Sequence, residues 1–252
     1  MTFQDFWTNK NNPSLPKSEY LFGTRHIILL VLTAFLCVLF TLIFYKRSAK
    51  TKWTLFYIFG GIFLFFEITS RVVNLIIAET YTVESVLKIL LPMHICSVMV
   101  LVFIVAIFSR NNMLLNFSVL GGILATLAFL IYPAVGINRV YMSFTCIYST
   151  FTHMLSFVTV ILFLTLRMVK FEFSKIWQPF LCFAVMFAWG ALLDFVIFPG
   201  SDYMYLINDP LELSLPFPYQ ILYAIIISVY VFMFYFINWL SDKIKYKRLL
   251  KK

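Results

Sequence analysis

Three residues in the run LLPMHICSVMV, positions 90–100, are suited to acyl and proton transfer: His94, Cys96 and Ser97. A thiol becomes a strong nucleophile once a base takes its proton, and imidazole is the base most often used near neutral pH. A second histidine, His153, sits in another apolar run with Ser149, Thr152 and Ser156 at helical spacing. Glu67, Arg71 and Asn74 stand at i, i+4 and i+7, on one helix face, and Asp194 closes a further apolar run. Residues two apart on a helix point about 200° from one another, so His94 and Cys96 converge only if the chain bends there. Pro92 is a possible source of that bend, but His153 is the better partner for Cys96 on geometry.

These residues are exceptions in their surroundings. Of 252 residues, 62% are hydrophobic and 12% charged, and the mean hydropathy is +0.91. Soluble domains carry about 25% charged residues, so this is the composition of a membrane protein. The net charge of +9 does not indicate nucleic acid, because the basic residues cluster at the ends of apolar runs, where they orient helices against headgroups. No phosphate loop, metalloprotease helix, serine elbow or zinc spacing occurs, and neither a metal nor a cofactor is expected. Cys37, Cys146 and Cys182 read as small buried hydrophobes, and the four cysteines do not form a disulfide framework.

A helix needs about 20 apolar residues to cross the hydrocarbon core. By that measure seven spans are expected, near 25–45, 54–77, 87–108, 114–134, 144–166, 177–198 and 219–240. The fold class is therefore all-α, a polytopic bundle of seven transmembrane helices forming a single domain over 1–252. It carries a polar N-terminal segment (1–24), an outer loop or lid (199–218) and a basic tail (241–252). The N-terminal segment lacks the pattern of a cleaved signal peptide, so the first span is expected to be retained. With seven spans, one face holds Lys46, Arg47, Lys50, Lys52, Arg110, Arg167, Lys170, Lys175 and the six Lys and Arg residues between Lys243 and Lys252. Lys10, Lys17, Arg25, Lys88 and Arg139 fall on the other, which also carries most of the acids. Short loops rich in Lys and Arg stay in the cytoplasm, so the N-terminus is expected outside and the C-terminus inside.

That orientation places Glu67, Arg71, His94, Cys96, His153 and Asp194 in the outer half of the bilayer. A charged side chain at the helix centre costs about 2.5–3.5 kcal/mol on insertion scales, so such groups tend to face one another or a cavity. Two readings of Glu67 and Arg71 stay open: an intrahelical ion pair that makes the span tolerable, or part of a shared polar site. The loop FPGSDYMYLINDPLELSLPFPYQ, with Tyr203 and Tyr205 and no Lys or Arg, reads either as an aromatic belt at headgroup level or as a lid. Gly121 and Gly122 read as a close-packing or bend position.

LLPMHICS, the His153 segment and DYMYLINDPLELSLPFPYQIL together resemble the YwaF-like bacterial integral membrane proteins, a family related to the transmembrane protein 164 acyltransferases. The resemblance covers most of the chain. It implies a multi-pass protein of the bacterial cell membrane that performs lipid acyl chemistry, with a nucleophile and a histidine on facing helices. Carried onto this sequence, the histidine is His153 and the nucleophile lies on the third span. The eukaryotic pattern places a cysteine immediately before the third-span histidine. Met93 holds that position here, with Cys96 one turn further along, and Asp202 stands where the pattern has Asn.

The leading expectation is an acyltransferase or acyl hydrolase acting on membrane lipids. Cys96 would be the nucleophile, His153 the base and His94 or Ser97 an orienting group, with Arg71, Glu67, Asn74, Asp194, Tyr203 and Tyr205 contacting substrate. A transporter using the buried Glu, Arg and His, and a non-catalytic membrane scaffold, are the competing classes.

Overall fold

The computed structural model describes residues 6–7, 12–133, 136–208 and 218–249. Among them the regular secondary structure is all helical, apart from an isolated bridge between Ser14 and Arg139. We label the main helices α1 (Thr24–Phe44), α2 (Ala49–Ile76), α3 (Val83–Leu90), α4 (Ile95–Ser109), α5 (Asn112–Ile131), α6 (Phe144–Thr165), α7 (Trp177–Leu192) and α8 (Tyr219–Leu249). Among the described residues six helical segments are long and apolar enough to cross a membrane, and the bent pair α3 and α4 makes a seventh if it is one span.

Local chemistry sets the boundaries. Ser48, Thr82, Asn111 and Ser143 precede α2, α3, α5 and α6, and each side-chain oxygen accepts a hydrogen bond from a backbone N–H of the first turn. Arg110 and Arg167, at φ 53° and 56°, turn the chain into the left-handed region just beyond α4 and α6.

The expected continuous span 87–108 is instead two helices meeting at 55°. Pro92 has no N–H to donate into the helix, and the last regular bond of α3 is from Leu91 N to Leu87 O. The membrane-crossing part of α8, Tyr219–Ser241, agrees with the expected span 219–240, and the helix itself runs on to Leu249.

By contacts the chain divides into two units, 1–92 with 96–168 and 93–95 with 169–252. In the first, α6 is the central helix, and α1, α2 and α5 all pack on it. Phe56 stacks on Phe163 at 4.3 Å and Phe66 meets Phe151 at 5.0 Å, which joins α2 to α6. Gly121 and Gly122 allow α5 to approach closely: a Cβ at 122 would stand 2.6 Å from Phe103 on α4 and 2.8 Å from Val160 on α6. At one end of this unit Asn12 exchanges hydrogen bonds with Tyr141, and the Arg25 guanidinium donates to the carbonyls of Arg139 and Val140, so the N-terminal segment is strapped to the loop before α6. In the second unit Phe171 packs edge-on against Phe234 and Tyr235, and α7 ends in a π-helical turn, Leu193–Ile197. Large apolar side chains such as Val31, Phe35, Val229 and Ile237 are exposed along α1 and α8, as lipid-facing surfaces require.

Candidate functional site

The three histidines are distinguished by what their ring nitrogens meet. His26, fully buried, accepts from Phe22 N–H through Nδ1 and donates from Nε2 to the Leu130 carbonyl at 2.7 Å. Both nitrogens are occupied, so His26 ties the start of α1 to the end of α5 and has no lone pair to offer. His153 differs. Its Nδ1 lies 2.7 Å from the Ser149 carbonyl oxygen, which can only accept, so Nδ1 carries a proton and, in the neutral ring, the lone pair lies at Nε2. The ring also stacks on Phe129 at 4.0 Å, which fixes its plane. Backbone geometry within α6 places the Ser149 carbonyl one turn below the ring, and α5 supplies the aromatic wall.

Cys96, in the first turn of α4 and partly buried, rests against the same helix α5: its Sγ is 3.8 Å from the Ala125 carbonyl oxygen, a weak S–H donor contact. Ala125 and Phe129 are one turn apart on α5. Cys96 and His153 therefore lean on successive turns of one helix, although they share no hydrogen bond with each other. Ser97 is half-buried and has no hydrogen-bond partner among the described residues.

Glu67, Arg71 and Tyr148 form a second polar group in the same unit. Glu67 is buried; its Oε1 accepts from Arg71 Nε at 2.9 Å and from the Arg71 terminal nitrogen, and its Oε2 accepts from the Tyr148 hydroxyl at 2.7 Å. The other terminal nitrogen of Arg71 donates to the carbonyls of Ile89, at 2.7 Å, and Leu90. These are the carbonyls left without helical partners where α3 stops before Pro92. The pair is thus intrahelical, as one sequence reading had it, and it also joins α2 to α6 and caps α3. Most of the guanidinium N–H groups are engaged by protein. Asn74, exposed, is 3.4 Å from Ser70 Oγ through its amide nitrogen. Tyr148 had no signal in the sequence, because spacing along one helix cannot reveal a partner on another.

In the second unit Asp194 is fully buried within the π-helical turn, and its Oδ1 accepts from the Tyr203 N–H at 3.0 Å. The Tyr203 carbonyl in turn accepts from His94 Nδ1 at 3.1 Å, and the two rings meet edge-on at 5.5 Å. Tyr205 adopts φ 56°, and its carbonyl accepts from the Tyr219 hydroxyl. Asp202 gathers the backbone N–H groups of Leu206, Ile207 and Asn208. Partial burial disfavours its charge, but these donors and the Asn208 amide outweigh that and hold its carboxyl below the ordinary aspartate range. The rest of the expected lid, 209–217, lies outside the described residues. All four cysteines are free, and Cys37, Cys146 and Cys182 are buried as expected of small hydrophobes.

Comparison with known proteins adds one match. A protein-family model described as the TMEM164 family matches residues 21–238. No curated protein and no solved structure matches the chain.

Proposed function

The chain belongs to the TMEM164 family, and from that premise we propose that it catalyses acyl transfer or acyl hydrolysis on membrane lipids, with Cys96 as nucleophile and His153 as base. The supporting observation is the pair's common seat on α5: a thiol against Ala125 and an imidazole against Phe129, with the imidazole held so that Nε2 is the basic nitrogen.

The chemistry follows from that tautomer. Nε2 takes the thiol proton as sulfur attacks the ester carbonyl of a phospholipid. The carbon–oxygen bond breaks, and the departing lysolipid oxygen receives the proton from the imidazolium. In the second half, Nε2 takes a proton from a lysolipid hydroxyl or from water as that oxygen attacks the thioester, and the thiolate leaves and is reprotonated. Throughout, Nδ1–H stays on the Ser149 carbonyl, which keeps the ring in one orientation. The missing thiol–imidazole hydrogen bond is compatible with this, because catalytic contacts often tighten only when substrate is bound. Met93 cannot carry an acyl group, so Cys96 takes the nucleophile's place one turn along the chain.

The transporter reading draws less support. Glu67 and Arg71 are directed at each other, at Tyr148 and at the end of α3, an arrangement that braces helices. The test is acyl exchange by purified protein in lipid nanodiscs. Cys96→Ala and His153→Ala are each expected to reduce turnover by at least about 100-fold at unchanged expression and folding, the lower end of what a positioned base supplies. Wild-type turnover in both variants would overturn the assignment.

A further inference from the structure

His94 meets the same condition as His153, by a different construction and in the other unit. Its Nδ1 faces the Tyr203 carbonyl, which can only accept, so Nδ1 carries a hydrogen and, in the neutral ring, the lone pair lies at Nε2. His94 is exposed, so that lone pair is accessible.

The position of the Tyr203 carbonyl is itself set by Asp194. The Asp194 Oδ1 holds the Tyr203 N–H, while its Oδ2 is buried and has no hydrogen-bond partner among the described residues. A buried carboxylate oxygen without a partner costs several kcal/mol, roughly, and is rare in native folds. The π-helical turn that carries it is a geometry found often at functional positions. The Tyr203 turn is pinned at further points. Met204 packs on Gly190, where a Cβ would come within 2.8 Å of the Met204 sulfur. Phe198 meets the Tyr203 ring at 6.0 Å, the Gln220 amide donates to the Leu206 carbonyl, and Tyr205 holds a left-handed conformation unusual for a tyrosine. The effect of this construction, beyond folding a loop, is to fix one carbonyl opposite one imidazole nitrogen.

We propose that Asp194 is a positioning residue that acts through the main chain of Tyr203 to hold His94 with its Nε2 outward, making His94 a second base that accepts the proton of a hydroxyl, from a lipid or from water. Asp194 plays the part of the orienting carboxylate in a triad, with a stretch of backbone placed between it and the imidazole. The inference stands on the geometry of this unit and not on the assignment of Cys96.

The test uses full-length protein in nanodiscs with 15N-labelled histidine, His26 and His153 being assigned by single replacement. His94 is expected to show one neutral tautomer protonated at Nδ1. Asp194→Ala should give a mixture of tautomers, whereas Asp194→Asn, which retains an acceptor for the Tyr203 N–H, should restore the single form. Diethyl pyrocarbonate labelling read by mass spectrometry should modify His94 at least about tenfold faster than His26, whose nitrogens are both engaged. In the acyl-exchange assay Asp194→Ala should lower kcat with KM little changed, and Asp194→Asn should recover most of it. An Nε2-protonated His94 in the wild type, or a tautomer unaltered by Asp194→Ala, would overturn the proposal. Loss of the His94 signature with acyl exchange intact would do the same, whereas acyl exchange surviving Cys96→Ala with the His94 signature present would count against Cys96 alone.

Discussion

At the scale of single residues, hydrogen bonding divides groups that look alike in the sequence. His26, His94 and His153 are the same side chain in apolar surroundings, yet one is locked at both nitrogens and two keep a lone pair at Nε2. Glu67 illustrates how a polar residue contributes to the frame. It accepts from Arg71 and from Tyr148, so Glu67→Ala leaves a guanidinium without its counter-charge and is expected to destabilise the protein by about 3–5 kcal/mol. Tyr148→Phe removes a single hydrogen bond to a charged group, and about 1.5–3 kcal/mol is expected. Denaturation of the two variants in the same detergent gives this order; equal losses would show that Tyr148 matters as much as the ion pair. The pairing of Glu67 with Arg71 was legible at i, i+4. Their ties to Tyr148, Ile89 and Leu90 were not, because they cross between elements whose packing no linear spacing encodes.

At the scale of elements, Pro92 and the glycines of α5 do the shaping. Pro92 was readable as a possible bend in the third span. What could not be read was that the helix stops outright, because this requires Arg71, from another element, to take up the carbonyls of Ile89 and Leu90. Gly122 was legible as a packing or bend position, and the structure makes it the former. Gly122→Ala is expected to destabilise by about 1–3 kcal/mol through overpacking against Phe103 and Val160. Gly61→Ala on α2, with open space where the Cβ would go, should be neutral or slightly stabilising, and thermal unfolding of the two variants side by side tests the contrast. The Tyr203 turn also carries a pH dependence. The folded-state pKa of Asp202 lies below its unfolded value, so its contribution is present above the ordinary aspartate pKa of about 3.9 and is lost as pH falls through the depressed value. Protection of the Leu206, Ile207 and Asn208 amides from hydrogen exchange, corrected for intrinsic rate, should be constant from neutral pH to about 5 and fall below about 4. Protection unchanged at pH 2 would show that the carboxylate does not hold the turn.

At the scale of the whole molecule, composition and run length were enough for an all-helical membrane protein, because only helices and closed barrels satisfy the backbone in lipid. The distribution of Lys and Arg further leads us to propose an extracytoplasmic N-terminus and a cytoplasmic C-terminus, so a reporter fused after Lys252 should be active only in its cytoplasmic form. The family match spans residues 21–238, whereas the proposed chemistry rests on a few side chains. The most direct measurement is of the covalent intermediate. Purified protein in nanodiscs is mixed with a phospholipid labelled in its acyl chain, quenched, and digested for peptide mass analysis. The wild type should carry the acyl group on the peptide containing Cys96, released by neutral hydroxylamine as a thioester is, and the label should vanish in Cys96→Ala and in His153→Ala. Acyl turnover at the wild-type rate in Cys96→Ala, or a label located on another residue, would contradict the central assignment.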